Sequence, residues 1–318
     1  MRADAPDAPP VAADWRDPAA PLLPKTELRH WGRWLSGLLI LVVLGALVHA
    51  ISQGQINWEI VPGQLVEPVM LEGVRNTITL AVVAQVGAVA IGVALALMRR
   101  SRNPVLRAVA FGYIWVFRGL PVLLQIILWY NIALIFPRIT VAVPFTDLYL
   151  IDQASNTLVT AFLAALLGLG LNESAYMAEI VRAGLTSVDP GQTEAAQAIG
   201  LPPGRALRRV VLPQAMRVII PPTGNNFINM IKGTSLASVI GFIEITKASQ
   251  NLSSQSLAVI ENLIAGAIWY LVIVSIANVG QYVLERHYNA STRVAGNGRL
   301  LRMVGRSLRT PPMVRTTP

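Results

Sequence analysis

Six long apolar runs alternate with short polar loops along the chain. Each has about 18 residues or more, enough for an α-helix to cross the roughly 30 Å hydrocarbon core of a bilayer. The runs cover residues 34–51, 78–98, 108–136, 158–180, 218–245 and 263–284. This pattern predicts an all-α, polytopic membrane protein with about six transmembrane helices.

Polar residues interrupt the fourth and fifth runs. The fourth contains Asn172, Glu173 and Ser174, and the fifth contains Gly-Asn-Asn at 224–226 and Lys-Gly-Thr-Ser at 232–235. Polar side chains are costly in lipid and usually face protein or a water-filled cavity. We therefore expect these two helices to face protein or water.

The composition is typical of a membrane protein. Hydrophobic residues make up 53% of the chain and charged residues 14%, with a mean hydropathy of +0.53, whereas soluble domains carry about 25% charged residues. The net charge of +9 comes from short basic clusters between apolar runs, so we interpret it as membrane topology and not as a nucleic-acid surface. With no cysteine and three scattered histidines, the sequence indicates no disulfide, metal site or cofactor.

Arginine and lysine residues fall mainly in alternate loops. They follow the second, fourth and sixth runs, in clusters at 99–107, 182–217 and 286–315, whereas the other loops hold Arg75, Arg138 and Lys247. Basic residues in short loops are retained on the cytoplasmic side. The pattern predicts that both termini and the loop 182–217 are cytoplasmic and that the segment 137–155 lies outside.

The loop 182–217 carries helix start and stop signals. Asp189 can cap a helix, Pro190 suits its first position, and Gln192 completes a pair similar to a capping box. Gly200 supplies a C-terminal stop with a positive φ, and the Pro-Pro pair at 202–203 prevents continuation. These signals predict a helix of about ten residues. Its exposed surface is mostly alanine, which suggests a partner protein, although a plain surface helix would carry the same signals.

The spacing in this loop resembles that of a known family. Glu194-Ala195-Ala196, three residues, Gly200, nine residues, Val210, one residue and Leu212-Pro213 match the E-A-A-x3-G-x9-I-x-L-P loop of permease subunits of ATP-binding-cassette (ABC) importers. Val for Ile is the one departure. In that family the loop is the coupling helix that docks into a groove of the cytoplasmic ATPase. The resemblance implies that the ATPase-coupling residues are Glu194, Ala195, Ala196, Gly200, Leu212 and Pro213.

Other segments look like the polar amino-acid branch of this family, over about residues 73–286. They read FRGLP at 117–121, AYMAEIVRAG at 175–184, PGQ at 190–192, LPQA at 212–215 and KGTSL at 232–236. Leu120 stands where threonine is usual, and the linker at 202–204 is unusually rich in proline. The first span and the segment 137–155 look like additions to a five-span core.

The resemblance implies the membrane subunit of a polar amino-acid importer that is not itself an enzyme and has no catalytic residue. The sequence has no G-x-x-x-x-G-K-[ST] loop, so ATP would be hydrolysed by two separate ABC ATPase subunits. A second permease chain, identical or related, and an extracytoplasmic solute-binding protein would complete the complex in the cytoplasmic (inner) membrane of a bacterium.

A secondary, ion-coupled transporter of small polar solutes is the alternative, because it also places polar residues inside spans. Such transporters often have internal repeats with paired broken helices, and the two halves of this sequence show no convincing repeat. A membrane-bound enzyme has less support, since the sequence offers no His/Glu cluster and no nucleophile-base arrangement.

The expected organisation has four parts. They are a disordered cytoplasmic tail at 1–33, an extra N-terminal span with a periplasmic segment at 34–72, the permease domain at 73–286 with its coupling loop at 182–217, and a basic cytoplasmic tail at 287–318.

Several polar residues within the runs are candidates for the substrate pathway. For each, a structural interpretation stays open: Glu173 can be hydrated near the interface, Arg118 can snorkel, and the polar residues of the fifth run can join helices. The candidates are Asn172, Glu173, Tyr176, Arg118, Asn225 and Lys232.

Overall fold

The computed structural model describes residues 31–54, 56–142 and 149–307, with only the backbone at 32–34, 48, 51, 142 and 289–307. Apart from residues 31–33, the tail predicted to be disordered lies outside the described residues, as do residues 308–318 of the basic tail. The all-α prediction is confirmed for the described part of the chain, which forms helices apart from one short pair of strands. The chain divides into two units, residues 1–56 and 57–318.

The first unit contains one described helix, α1 (Trp31–Ser52). It includes the apolar stretch Leu35–Leu47 and corresponds to the first predicted span, 34–51. The bounds of the predicted span differ from those of α1 by three residues at the N-terminus and by one at the C-terminus.

The second unit contains the remaining elements. Its helices are α2 (Val61–Leu65), α3 (Pro68–Arg100), α4 (Pro104–Gly119), α5 (Val122–Tyr130), α6 (Ser155–Leu158), α7 (Ala161–Thr186), α8 (Pro190–Ala198), α9 (Pro203–Ala206), α10 (Leu212–Gly233), α11 (Ile245–Ser256) and α12 (Val259–Ser307). Short 3₁₀ helices cover Ile132–Leu134 and Thr234–Ile240, and a π-helical turn covers Leu207–Val211. The strands are β1 (Arg138–Ala142) and β2 (Tyr149–Ala154).

Three helices of the second unit, α3, α7 and α12, are each long and apolar enough to cross a membrane. Two bent pairs pass the same test: α4 with α5, bent by 100°, and the helical segment Pro203–Ile240 with α11, bent by 46°. If each pair is one span, the second unit has up to five. The third apolar run, which looked uninterrupted in the sequence, is therefore not one straight helix, and the fifth run, already interrupted by polar residues, is bent before α11.

The break between α4 and α5 lies at Leu120 and Pro121. Proline disfavours helical geometry in the residue before it and has no N–H to give to a preceding carbonyl. The amide of Gln125, a buried side chain, donates 3.0 Å hydrogen bonds to the carbonyls of Phe117 and Leu120. Two carbonyls at the break, those of Phe117 and Leu120, are thus satisfied inside the protein.

A second buried polar group begins α11. Glu244 is fully buried and accepts from the backbone N–H groups of Thr246 (2.9 Å) and Lys247 (2.8 Å). The hydroxyl of Tyr270 on α12 donates to the same carboxylate at 2.6 Å. Glu244 therefore caps one helix and ties it to another.

The segment 137–155, for which the sequence suggested no element, contains an antiparallel pair of strands. The side chain of Arg138 on β1 reaches diagonally to Asp152 on β2, with Nε–Oδ1 at 2.5 Å and Nη2–Oδ2 at 2.8 Å. The hydrogen bonds from Arg138 hold the pKa of the Asp152 carboxyl below its ordinary value. The pair consequently stays ionised at neutral pH.

Helices α3 and α7 approach closely through small residues. A Cβ built at Gly92 on α3 would lie 2.5 Å from the Met177 Cβ and 3.0 Å from the Ser174 carbonyl oxygen of α7. Ala88 and Ala96, one turn before and after Gly92, are fully buried. Close backbone contact through small side chains is a main source of helix association in membranes.

We predict that Gly92→Ala lowers the stability of the detergent-solubilised chain by about 1–3 kcal/mol, because the added methyl group forces α3 and α7 apart. Thermal unfolding followed by circular dichroism measures the effect. Gly87→Ala on the same helix is the control, since a Cβ there meets nothing within 4 Å. It should be neutral or slightly stabilising. Equal midpoints for the two variants would contradict the close contact.

Candidate functional site: the coupling segment and a polar cluster between helices

The first candidate site is residues 189–213, which we call the coupling segment. Helix α8 begins as the sequence predicts: Asp189 Oδ1 accepts from the backbone N–H of Gly191 at 2.8 Å, and Pro190 occupies the first turn. The helix has nine residues. The cap satisfies one of the free N–H groups of its first turn.

The C-terminus of α8 has the geometry predicted for Gly200. Its φ is +82°, a left-handed conformation that side chains other than glycine disfavour. The Gly200 N–H bonds the Gln197 carbonyl at 2.9 Å, and the Leu201 N–H bonds the Ala196 carbonyl at 3.0 Å. These two bonds form a Schellman motif, which stops the helix and reverses the chain.

Two local expectations need correction. Gln192 does not complete a capping box among the described hydrogen bonds, because its Oε1 accepts from Gln214 Nε2 at 3.4 Å. The Pro-Pro pair lies beyond the end of α8, which Gly200 already stops, and Pro203 opens α9, since proline suits the first turn of a helix. The coupling segment is therefore two short helices and a π-helical turn that lead directly into α10.

The residues of the family-like motif lie on different faces of the coupling segment. Ala196 is 4% exposed and packs inward, whereas Glu194 and Ala195 are exposed. Ile199, at the end of α8, is 79% exposed. Leu212 and Pro213 are also exposed and begin α10. The outward face thus combines one carboxylate, small side chains and one large apolar side chain.

The second candidate site is a polar cluster around the middle of α7. The guanidinium of Arg118, in the last turn of α4, lies over the Tyr176 ring, with Cζ 4.9 Å from the ring centroid. Both side chains are exposed. A cation held over an aromatic face keeps its hydrogen-bond donors available.

Asn172 and Glu173 have different partners. The Asn172 side-chain amide donates to the Phe117 carbonyl at 2.5 Å, at the break between α4 and α5. Glu173 Oε1 accepts from the side-chain amide of Asn226 on α10 at 2.7 Å. Asn172 thus supports the break, and Glu173 joins α7 to α10 while its other oxygen has no hydrogen bond within the described residues.

Helix α10 presents a polar face. Asn225, Asn229 and Lys232 follow helical spacing and are exposed. Thr234 and Ser235, also singled out in the sequence, instead donate to carbonyls one turn back, those of Ile231 and Lys232. The structure therefore places Arg118, Asn172, Glu173 and Tyr176 together, with Asn225 and Lys232 on the exposed face of α10.

Two residues of this region escaped the sequence analysis. Gln125 and Asn226 hold the cluster by bonding the α4–α5 break and Glu173. Asn226 stands in the Gly-Asn-Asn string, but sequence alone does not say which asparagine faces another helix. Helical periodicity offers the one available signal, because Asn225 shares its face with Asn229 and Lys232 while Asn226 does not.

The bent spans, the polar cluster and the exposed coupling segment define the class: a membrane-embedded helical transport subunit. The chain belongs to the family of binding-protein-dependent transport system inner membrane components, whose family model matches residues 88–290.

Individual relatives agree with this assignment. The chain is 40% identical over 269 residues to the arginine transport system permease protein ArgU of Corynebacterium glutamicum, covering 84% of this chain and 83% of that protein. It is 36% identical over 232 residues to the probable amino-acid permease protein YxeN of Bacillus subtilis, covering 73% and 95%. A crystal structure of an amino acid ABC transporter with histidines matches with a TM-score of 0.59 and 34% identity, over 69% of this chain and 94% of that one.

Proposed function

We propose that this chain is the permease subunit of an ABC importer that moves polar amino acids across the bacterial cytoplasmic membrane. The observation that carries the proposal is the coupling segment, a capped helix stopped by Gly200 that presents Glu194 and Ile199 outward. The names of the relatives, which include an arginine and an amino-acid permease, support the substrate class. We assign no catalytic step to this chain. In our proposal, two separate ATPase subunits hydrolyse the ATP.

The exposed face of α8 suits a protein partner. Ala195 allows close backbone approach, Ile199 supplies apolar area that is otherwise left in water, and Glu194 supplies one charge for orientation. A central apolar anchor with a charged neighbour is a common arrangement in interfaces. The cap and the Schellman motif fix the helix ends, so a displacement by the ATPase would pass through the π-helical turn into α10.

The polar cluster suits a zwitterionic solute. Arg118 can bind a carboxylate and Glu173 an ammonium group, and both lie at the level of the same turn of α7. The exposed polar face of α10 would then border the pathway opposite a second permease chain. A single chain leaves this face open, so we propose that two chains enclose the solute.

The orientation follows from the arginine distribution and the position of the strands. With both termini and the coupling segment in the cytoplasm, β1 and β2 project on the outer side, where the exposed Tyr149, Leu150 and Ile151 offer apolar contact. We propose that this hairpin contributes to docking of the extracytoplasmic solute-binding protein.

The orientation is tested by labelling introduced cysteines in this cysteine-free chain. Ser187→Cys, beside the coupling segment, and Leu150→Cys, on β2, both replace exposed residues. An impermeant maleimide added to intact cells should label the β2 cysteine and should reach the one at position 187 only after lysis. Labelling of position 187 in intact cells would reverse the proposed topology.

The coupling role is tested with two substitutions. Gly200→Val places a β-branched side chain at φ +82°, at a cost of about 1–3 kcal/mol, and should misdirect α8. Glu194→Lys reverses the charge of a contact whose loss costs about 2–5 kcal/mol when desolvated. We expect both variants to insert normally and to lose transport in reconstituted vesicles, through loss of ATPase attachment or of substrate-stimulated hydrolysis.

The matched control is Gly204→Val in the same segment, where φ is not positive and a Cβ meets nothing within 4 Å. It should retain ATPase co-purification. If Gly200→Val and Glu194→Lys both co-purify with the ATPase and transport substrate as the wild type does, the coupling segment is an ordinary connection between helices. The importer proposal would then lose its main support.

The pathway role is tested with Glu173→Gln. The new amide oxygen still accepts from Asn226, so the α7–α10 contact persists, but the charge is lost. A charged hydrogen bond exceeds a neutral one by about 1.4 kcal/mol, so uptake at low substrate should fall about tenfold while basal ATPase activity persists. Glu72→Gln, on the exposed surface of α3, is the control. Unchanged kinetics for Glu173→Gln across several amino acids would remove Glu173 from the pathway.

A further inference from the structure

A cleft of about 820 Å³ lies between the ends of α3 and α7 on one side and the coupling segment on the other. It is separate from the polar cluster around Glu173. Its lining includes Arg99 and Arg100 from α3, Arg182 and Thr186 from α7, and Thr193 and Glu194 from α8. Three guanidinium groups and one carboxylate thus share a single open concavity.

The positive charge of this cleft is only partly neutralised. Arg182 is paired with Glu179, with Nη2–Oε2 at 2.7 Å. Arg99 lies over the Phe111 ring, its Cζ 5.3 Å from the centroid, and Arg100 is exposed. Within the described residues neither Arg99 nor Arg100 forms an ion pair, so the cleft keeps a surplus of guanidinium donors.

The position of the two arginines relates the cleft to the membrane surface. They directly follow Met98, the last residue of the second apolar run, and so stand at the level where the hydrocarbon layer ends. Guanidinium groups bind phosphate oxygens in pairs of parallel hydrogen bonds. Basic pockets between transmembrane helices on the cytoplasmic side bind anionic lipid head groups.

We propose that this cleft binds the phosphate of an anionic lipid of the cytoplasmic leaflet, with Arg99 and Arg100 as its principal ligands. The proposal rests on the orientation given above and not on the transported solute. A head group held there lies beside Thr193, on the side of α8 that faces the cleft, whereas the exposed Glu194 carboxylate borders the cleft and also remains on the face offered to the ATPase. The lipid composition of the leaflet then acts on the position of α8.

The test uses the purified full-length chain in a maltoside detergent. Dioctanoyl phosphatidylglycerol, dioctanoyl phosphatidylcholine and inorganic phosphate are titrated separately, and binding is read by native mass spectrometry and by the shift of the thermal midpoint. We expect binding of phosphatidylglycerol alone. The double variant Arg99→Gln/Arg100→Gln should bind it about 30-fold more weakly, the loss expected for two basic residues at a membrane surface.

The control is Arg102→Gln/Arg107→Gln, which removes one charge from the adjoining loop and one from the first turn of α4, at two residues that do not line the cleft. It should bind phosphatidylglycerol about as tightly as the wild type, because exposed charges outside the cleft are screened by salt. An equal loss in both double variants would mean general attraction to basic surface and would overturn the proposal. If inorganic phosphate binds as tightly as phosphatidylglycerol and Arg99→Gln/Arg100→Gln weakens both, the cleft is a site for a soluble anion. The lipid proposal would then fail.

A third result distinguishes the cleft from the ATPase contact. If Arg99→Gln/Arg100→Gln binds phosphatidylglycerol normally but no longer co-purifies with the ATPase, the arginines belong to the protein interface and the lipid proposal fails. The lipid-binding assay needs neither the ATPase nor an amino acid, so a negative result in it does not affect the importer proposal. Conversely, loss of amino-acid transport in the coupling variants does not affect the lipid-binding result.

Discussion

The hydrocarbon layer cannot hydrogen-bond a free N–H or C=O group, and this constraint decides how the spans of this protein are allowed to break. At the α4–α5 bend, Gln125 and Asn172 occupy the carbonyl of Phe117. At the start of α11, Glu244 occupies two N–H groups. At each break, a buried polar side chain forms hydrogen bonds with backbone groups that the interrupted helix leaves free. The bend in turn fixes the end of α4, and with it the place of Arg118 over Tyr176.

Helix α10, which continues from the coupling segment, is also bonded to its neighbour α12. Pro221 and Pro222 lie inside α10 and leave carbonyls of the preceding turn without N–H partners. The amide of Gln281 on α12 donates to the Pro221 carbonyl at 2.8 Å, and its side chain fills the space that a Cβ at Gly224 would need. Helices α10 and α12 are thereby held together beside this proline pair. Under the proposed coupling role, a displacement of α8 would act on this pair of helices and not on α10 alone.

Local chemistry made much of this fold predictable. The cap at Asp189, the stop at Gly200 and the apolar spans all depend on residues near one another in sequence, so periodicity and turn rules were sufficient. The α4–α5 break was foreseeable from Leu120-Pro121, but the surrounding apolar run concealed it. The β-branched residues of β1 were likewise a strand signal. The Glu173–Asn226 and Glu244–Tyr270 bonds join residues far apart in the chain, and no local rule pairs them.

The exposed polar face of α10 affects the free energy of a newly made chain before it assembles with a partner. Asn225, Asn229 and Lys232 sit on a span, and lipid solvates amide and ammonium groups poorly. If two chains enclose the pathway as proposed, an unassembled copy leaves these polar groups facing lipid, at a free-energy cost that burial against a partner or contact with pore water removes. Under the proposed assembly, the same polar face that borders the pathway therefore disfavours an unpartnered copy in the bilayer.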